Sequence, residues 1–272
     1  MAYVKEPFKE LDIMNNFMFN KLTTKKETKE KFCRLLLRQL LGREVGKIIV
    51  SAENALYPDN PNKRGVRLDV QIEEYGEDII TNIYDIEPHR DIERDYAKKI
   101  RYQQSQLDKN NMESGDRDFS HIPNLYIINI TNYDPFGYEY MVYTIESRCV
   151  EVPELIYNDG VKIYYFNTTG TKGGSKELKA FLNYLENSVV DNVVNEATRE
   201  AKEYVDYIKD DRIMEGDYMT VGDWVDGIVE EAVKEAIEDA TATIADKDAA
   251  IADKDSEIAI LKAELEKYKN IK

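Results

Sequence analysis

VRLDVQIEEYGEDIITNIYDIE, residues 66–87, is the stretch whose reading decides the fold. In VRLDVQIEEY (66–75) apolar residues fall at alternating positions, which is the period of a half-buried strand. IITNIYDIE (79–87) reads as a second strand, and Gly76 in EEYGED supplies the turn between them. A β-hairpin is therefore expected over 66–87. Pro88 follows and ends regular pairing, because proline has no backbone donor. Alternation puts Arg67, Asp69 and Gln71 on one face of the first strand. It puts Asp85, Glu87 and, if it persists past Pro88, His89 on one face of the second.

Outward from the hairpin the segments alternate between strand and helix. Upstream, residues 24–41 predict a helix. Thr24 and Glu27 form a capping-box pattern, Phe32, Leu35, Leu36 and Leu40 recur at helical spacing, and Gly42 stops it. KIIVSA (47–52) predicts a short strand, and ENALYPDNPNKRG (53–65) a loop. Downstream, DIERDYAKKIRYQQSQLDK (91–109) reads as a polar helix. NLYIINIT (124–131) is apolar almost throughout, as a buried central strand should be. Residues 137–148 and 161–167 read as further strands, and GTKGG (170–174) as a loop. The rest is helical, over 176–187 and from about 190 to 209. This order predicts an α/β domain.

The last segment differs in kind. Residues 244–268 repeat with period seven, with Ile244, Ile251, Ile258 and Leu265 in register. The residues three further on are Lys247, Lys254, Leu261 and Tyr268, so only the last two heptads have two apolar seam positions. A short acidic oligomerisation helix is expected, or else a solvated charged helix. The organisation expected is a domain at 1–190, a helical extension at 191–240 and a heptad helix at 241–272.

Composition narrows the function. No run approaches the roughly 20 apolar residues of a membrane helix, and the N-terminus lacks the apolar stretch of a secretory signal. Cys33 and Cys149 are the only cysteines, which suggests neither a disulfide framework nor a zinc cluster and makes a reducing cytoplasm the expected location. The net charge is −16, unfavourable for contact with phosphates. Residues 196–272 carry 22 acids against 11 bases, so most of the excess lies outside the candidate catalytic domain.

The hairpin itself carries the chemistry. Two strands would bring Asp69 and Glu87 together, and two carboxylates with water and a substrate phosphate suit one hard divalent cation. His89 would position water or stabilise developing charge. Carboxylates at strand ends are also common surface residues paired with Lys or Arg. Lys63, Arg64, Arg67, Arg90, Arg94, Lys98, Lys99 and Arg101 flank the acids and would meet phosphates. GTKGG lacks the spacing of a phosphate-binding loop. The tyrosines, including Tyr138, Tyr140, Tyr143, Tyr164 and Tyr165, suit strand packing first and base stacking second.

Five blocks in order resemble one family. They are LDIMNNFMFNKL (11–22), KFCRLLLRQLLGREV (31–45), GVRLDVQIEEYGEDIITNIYDIEPHR (65–90), IRYQQSQLD (100–108) and NLYIINITNYDPFG (124–137). Together they are similar to the Rpn family of recombination-promoting nucleases, often labelled PD-(D/E)XK family transposases. The resemblance implies a restriction-endonuclease-like core, a central mixed sheet flanked by helices, here with a helical, partly coiled-coil extension. It implies metal-dependent DNA endonuclease activity with Mg2+ or Mn2+, linked to recombination or defence against foreign DNA. Asp69 and Glu87 fall where the family keeps its metal-binding acids, with Gln71 and Asp85 in support. Tyr102 and Gln104 fall on the helix that flanks the site. His89 stands where Gln or Lys is usual, and Asn15 and Asn16 stand where an acid is usual. DNA is then the expected partner, with a homodimer formed through the C-terminal helices and no membrane. The alternative is a regulatory protein on an impaired nuclease fold, binding partners through its acidic C-terminal helix.

Overall fold

The expected hairpin lies within a six-stranded mixed sheet, flanked by helices, in a computed structural model of the chain. The structure describes residues 6–56, 66–90, 92, 95–111 and 118–269. Two compact units are present, Met1–Glu215 and Gly216–Lys272. The strands are β1 (Lys47–Leu56), β2 (Val66–Gly76), β3 (Ile79–His89), β4 (Asn124–Thr131), β5 (Val142–Ile145) and β6 (Val161–Asn167). Their order across the sheet is β1-β2-β3-β4-β6-β5. β1, β2 and β3 pair antiparallel, β3, β4 and β6 parallel, and β5 runs antiparallel on β6.

The helices are α1 (Asn16–Thr24), α2 (Lys29–Leu41), α3 (Tyr96–Asn110), α4 (Lys176–Glu186), α5 (Glu196–Lys209) and α6 (Arg212–Lys269). Helix α3 makes the crossover between parallel β3 and β4, the connection such strands require. Its Ile100 and Leu107 pack with Ile83, Leu125, Ile127 and Tyr165 in one core cluster. Helices α1, α2, α4 and α5 pack against one another, and α1 and α2 also meet β1.

Several boundaries differ from the sequence reading. The helix expected over 24–41 is present but begins at Lys29, as α2. Thr24 closes α1, its hydroxyl donating to Asn20 O at 2.7 Å, so it cannot cap α2. Asn15 caps α1 instead, accepting from Phe17 N at 3.0 Å and Met18 N at 3.4 Å. Gly42 does end α2, in a left-handed conformation at φ 64°. β1 continues to Leu56, into the expected loop, because its pairing with β2 extends to Leu56–Val66. β3 runs through Pro88 to His89. Its pairing with β2 ends at Val70–Ile86, and beyond that it pairs with β4, so Pro88 can lack a donor there.

The strand expected over 137–148 shrinks to β5. Residues 134–139 instead form a loop held by Asp134, which accepts from the backbone nitrogens of Phe136, Gly137 and Glu139. The helix expected from about 190 is a 3-10 turn at Val190–Asn192 followed by α5. Asn195 and Thr198 cap α5 reciprocally. Among the described residues no helix is long and apolar enough to cross a membrane.

Candidate functional site

Alternation along β3 turns Tyr84, Ile86 and Pro88 to one face of the sheet and Asp85, Glu87 and His89 to the other. Register then builds a row across the sheet. Glu87 pairs with Asn129, Asn129 with Tyr165, and Tyr165 with Tyr143. On β2, Gln71 pairs with Asp85, and one step past the last pair, Val70–Ile86, brings Asp69 level with Glu87. Helix α3 covers this face.

Asp85 is wholly buried, and neither carboxylate oxygen has a hydrogen-bond partner among the described residues. Burial, then the charges of Glu87 and Asp69, drive its carboxyl well above the ordinary carboxylate range, and the Lys99 ammonium opposes them. Those same influences place Asp69, Glu87 and Lys99 close to Asp85. Asp69 itself is exposed on β2, while Asp85 and Glu87 are buried.

Glu87 is buried and held on several sides. Gln103 donates from Nε2 to its Oε1. Lys99 Nζ lies 3.6 Å and His89 Nε2 3.3 Å from its Oε2. Tyr96 orders the far side: its hydroxyl hydrogen-bonds to His89 Nε2 and donates to Asn129 Oδ1 at 2.5 Å. Asn129 Nδ2 in turn donates to Tyr164 O at 3.1 Å. Tyr96, Lys99 and Gln103 are three and four residues apart, so one face of α3 carries all three.

The structure thus draws Asp69, Asp85, Glu87 and His89 into one neighbourhood. Gln71 is buried beside them and donates to Glu73 at 3.1 Å. Tyr102 and Gln104 lie to either side of the inward face of α3. Tyr102 is partly exposed, and Gln104 bonds to Asp108. It is Gln103 and Lys99 that reach Glu87. Sequence reasoning passed over Gln103, yet a signal was present: Ile100, Gln103 and Leu107 share the helical stripe that must face the sheet.

The flanking cations divide. Arg90 is taken up by Asp12, Glu6 and Met14 O, and Lys98 lies 3.4 Å from Asp95. Lys63, Arg64 and Arg94 fall outside the described residues, as does the Arg67 side chain.

Among the described residues, no group of three or more His, Cys, Asp or Glu side chains could hold a metal ion as arranged. The donor chemistry nonetheless fits a hard cation held by two carboxylates, with water and substrate completing its shell. The two oxygens of Asp85, buried without any donor, are the observation on which that fit rests. No protein-family model, curated protein or solved structure matches the chain.

Proposed function

We propose that the protein is a metal-dependent nuclease of the PD-(D/E)XK type that hydrolyses phosphodiester bonds in DNA, in recombination or in defence against foreign DNA. The carrying observation is Asp85, a fully buried carboxyl with no hydrogen-bond donor among the described residues, set among Glu87, Asp69 and Lys99. A purely structural carboxylate in such a position would be satisfied by donors. A buried acid without donors, grouped with other carboxylates on one sheet face, suits a site that acquires its positive charge with the ligand.

Two of the carboxylates of Asp69, Asp85 and Glu87 would hold Mg2+ or Mn2+, and such an ion would supply Lewis-acid polarisation of a phosphate and a more acidic bound water. The remaining roles fall to the chain's own groups. Lys99 brings a cation to the acids, where negative charge on the phosphate must be offset. Gln103 fixes the orientation of Glu87. His89 is a positioning residue: Tyr96 and Glu87 share its Nε2, so the imidazole steadies Glu87. Overall, water forms one new P–O bond, the bridging P–O bond breaks, and the leaving oxygen takes up a proton.

The test is plasmid cleavage by the full chain with Mg2+, Mn2+ or EDTA, beside Asp69→Ala, Glu87→Ala and Asp85→Asn. Metal-dependent nicking is expected in the parent and a loss of at least about a hundredfold in each variant. Thermal unfolding supplies a second readout: Mn2+ should raise the parent's midpoint and leave that of Asp85→Asn unchanged. A folded parent that neither cuts nor responds to either ion would overturn the proposal.

A second reading concerns assembly. Ile244, Ile251, Ile258 and Leu265 recur every seven residues on α6 and are all exposed. We propose that this seam pairs with the same seam of a second copy as a coiled coil.

A further inference from the structure

We propose that an aromatic platform beside the acidic site stacks unpaired nucleobases next to the bond to be cut, so that the preferred substrate is single-stranded or locally opened DNA. The proposal rests on the nuclease reading and names its substrate class.

The platform belongs to the same cross-strand row as Glu87. From Glu87 the row passes through Asn129 to Tyr165 and Tyr143. Rings continue it in space. His89 and Tyr96 have centroids 4.8 Å apart, Tyr96 and Tyr165 6.0 Å, and Tyr165 and Phe136 5.1 Å. Phe136 then lies 4.9 Å from Tyr143, and Tyr143 5.9 Å from Tyr140. The inner rings are covered and the outer ones are not: Phe136 is 43% exposed and Tyr140 47%, and Tyr138, held through its backbone nitrogen by the Tyr143 hydroxyl, is 67% exposed. An aromatic series therefore leads from the acids to solvent at the carboxyl ends of β3 and β4.

Its outer part is rigidly displayed. Asp134 accepts from Phe136 N, Gly137 N and Glu139 N, and from the Tyr143 hydroxyl at 2.8 Å. That hydroxyl in turn accepts from the backbone nitrogens of Tyr138 and Tyr140, each at 3.2 Å. The loop at 170–174 clamps the other side. Thr171 N and Lys172 N donate to Glu139 O at 2.8 and 2.9 Å, and Met141 N donates to Lys172 O at 2.8 Å. Glycine is required there, since a Cβ on Gly170 would stand 2.6 Å from Met141 N and Cα. Exposed rings held this firmly lose little freedom when a flat partner stacks on them. Nucleobases are such partners, and stacking on aromatic side chains is how single strands are held with little sequence preference.

The experiment measures anisotropy of a fluorescein-labelled oligothymidylate and of a matched duplex on the full chain in EDTA, which prevents cutting. The variants are Tyr138→Ala and Tyr140→Ala, singly and together. Tyr138→Phe keeps the ring. Tyr157→Ala, which removes an exposed ring near the opposite end of the sheet, is the surface control. Tighter binding of the single strand is expected, weakened about five- to tenfold by each alanine and unchanged in Tyr138→Phe and Tyr157→Ala. Equal binding of strand and duplex, or alanine variants that bind as the parent does, would overturn it. Plasmid cleavage separates the two proposals. A parent that binds single strands through Tyr138 without cutting keeps the platform and loses the nuclease. A parent that cuts but ignores both tyrosine substitutions keeps the nuclease and loses the platform.

Discussion

Two buried carboxylates on adjacent strands meet opposite fates. Glu74 on β2 accepts from Gly46 N at 2.9 Å, Asn82 at 2.8 Å, Tyr84 at 2.6 Å and Arg43 at 3.2 Å. Burial works upward on its carboxyl, but Tyr84, Gly46, Arg43 and Asn82 together hold it below the ordinary range. Asp85 has no such donors, and its carboxyl is held well above that range by burial, Glu87 and Asp69. The folded state therefore keeps the Asp85 proton longer than the unfolded chain does. This contribution to stability is complete below the ordinary carboxylate range and is lost as pH rises through the raised folded value. Asp85→Asn should thus raise stability at neutral pH by on the order of 1–3 kcal/mol, with a smaller gain in acid. Denaturant unfolding across pH checks this, and a destabilised variant would count against it. Alternation placed Asp85, Glu87 and His89 on one face, and the family resemblance singled out Asp69 and Glu87. The isolation of Asp85 was not readable, since it depends on what α3 and β4 bring to it.

Strand and helix periods carried most elements, and local polar contacts decided where they failed. The β2–β3 hairpin, β4, β6, α3 and α4 follow patterns that the chain displays openly. β5 is shorter than its alternation suggests because Asp134 captures the preceding residues and Glu139 takes a left-handed turn at φ 63°. Helix α1 escaped notice because its cap, Asn15, precedes a run without obvious periodicity. GTKGG was legible as a loop but not as a clamp, since its purpose appears only where Met141 passes against Gly170. Gly170→Ala should cost about 2 kcal/mol or more in thermal unfolding, because backbone rather than a movable side chain occupies the space. An unchanged midpoint would mean that the 137–141 segment yields easily, and the rigid display of Tyr138 would then be in doubt.

Across the whole molecule, charge and apolar periodicity separate. Most of the excess acid lies in residues 196–272, beyond the strands that carry Asp69 and Glu87 in the sequence. The apolar positions of the heptads, by contrast, face solvent in the single chain, at 47–59% exposure for the four seam residues. A seam of that kind gains by being covered, although Lys247 and Lys254 interrupt it. Removing 241–272 should leave a folded Met1–Glu215 unit and lower the mass measured by light scattering. A mass reduced only by the deleted residues would argue against self-association. The heptad was legible from sequence because a period of seven needs no tertiary context. Its partner was not, since one chain holds only half of any interface.

The division of the site between a hairpin and a crossover also sets an order of events. Asp69, Asp85 and Glu87 all lie on β2 and β3, which a short turn can join by local closure. Lys99 and Gln103 arrive only when α3 docks, and Asn129 only when β4 completes the parallel pairing, a slower and less local step. A hairpin that closed before α3 docked would gather the three acids ahead of the Lys99 ammonium that offsets them.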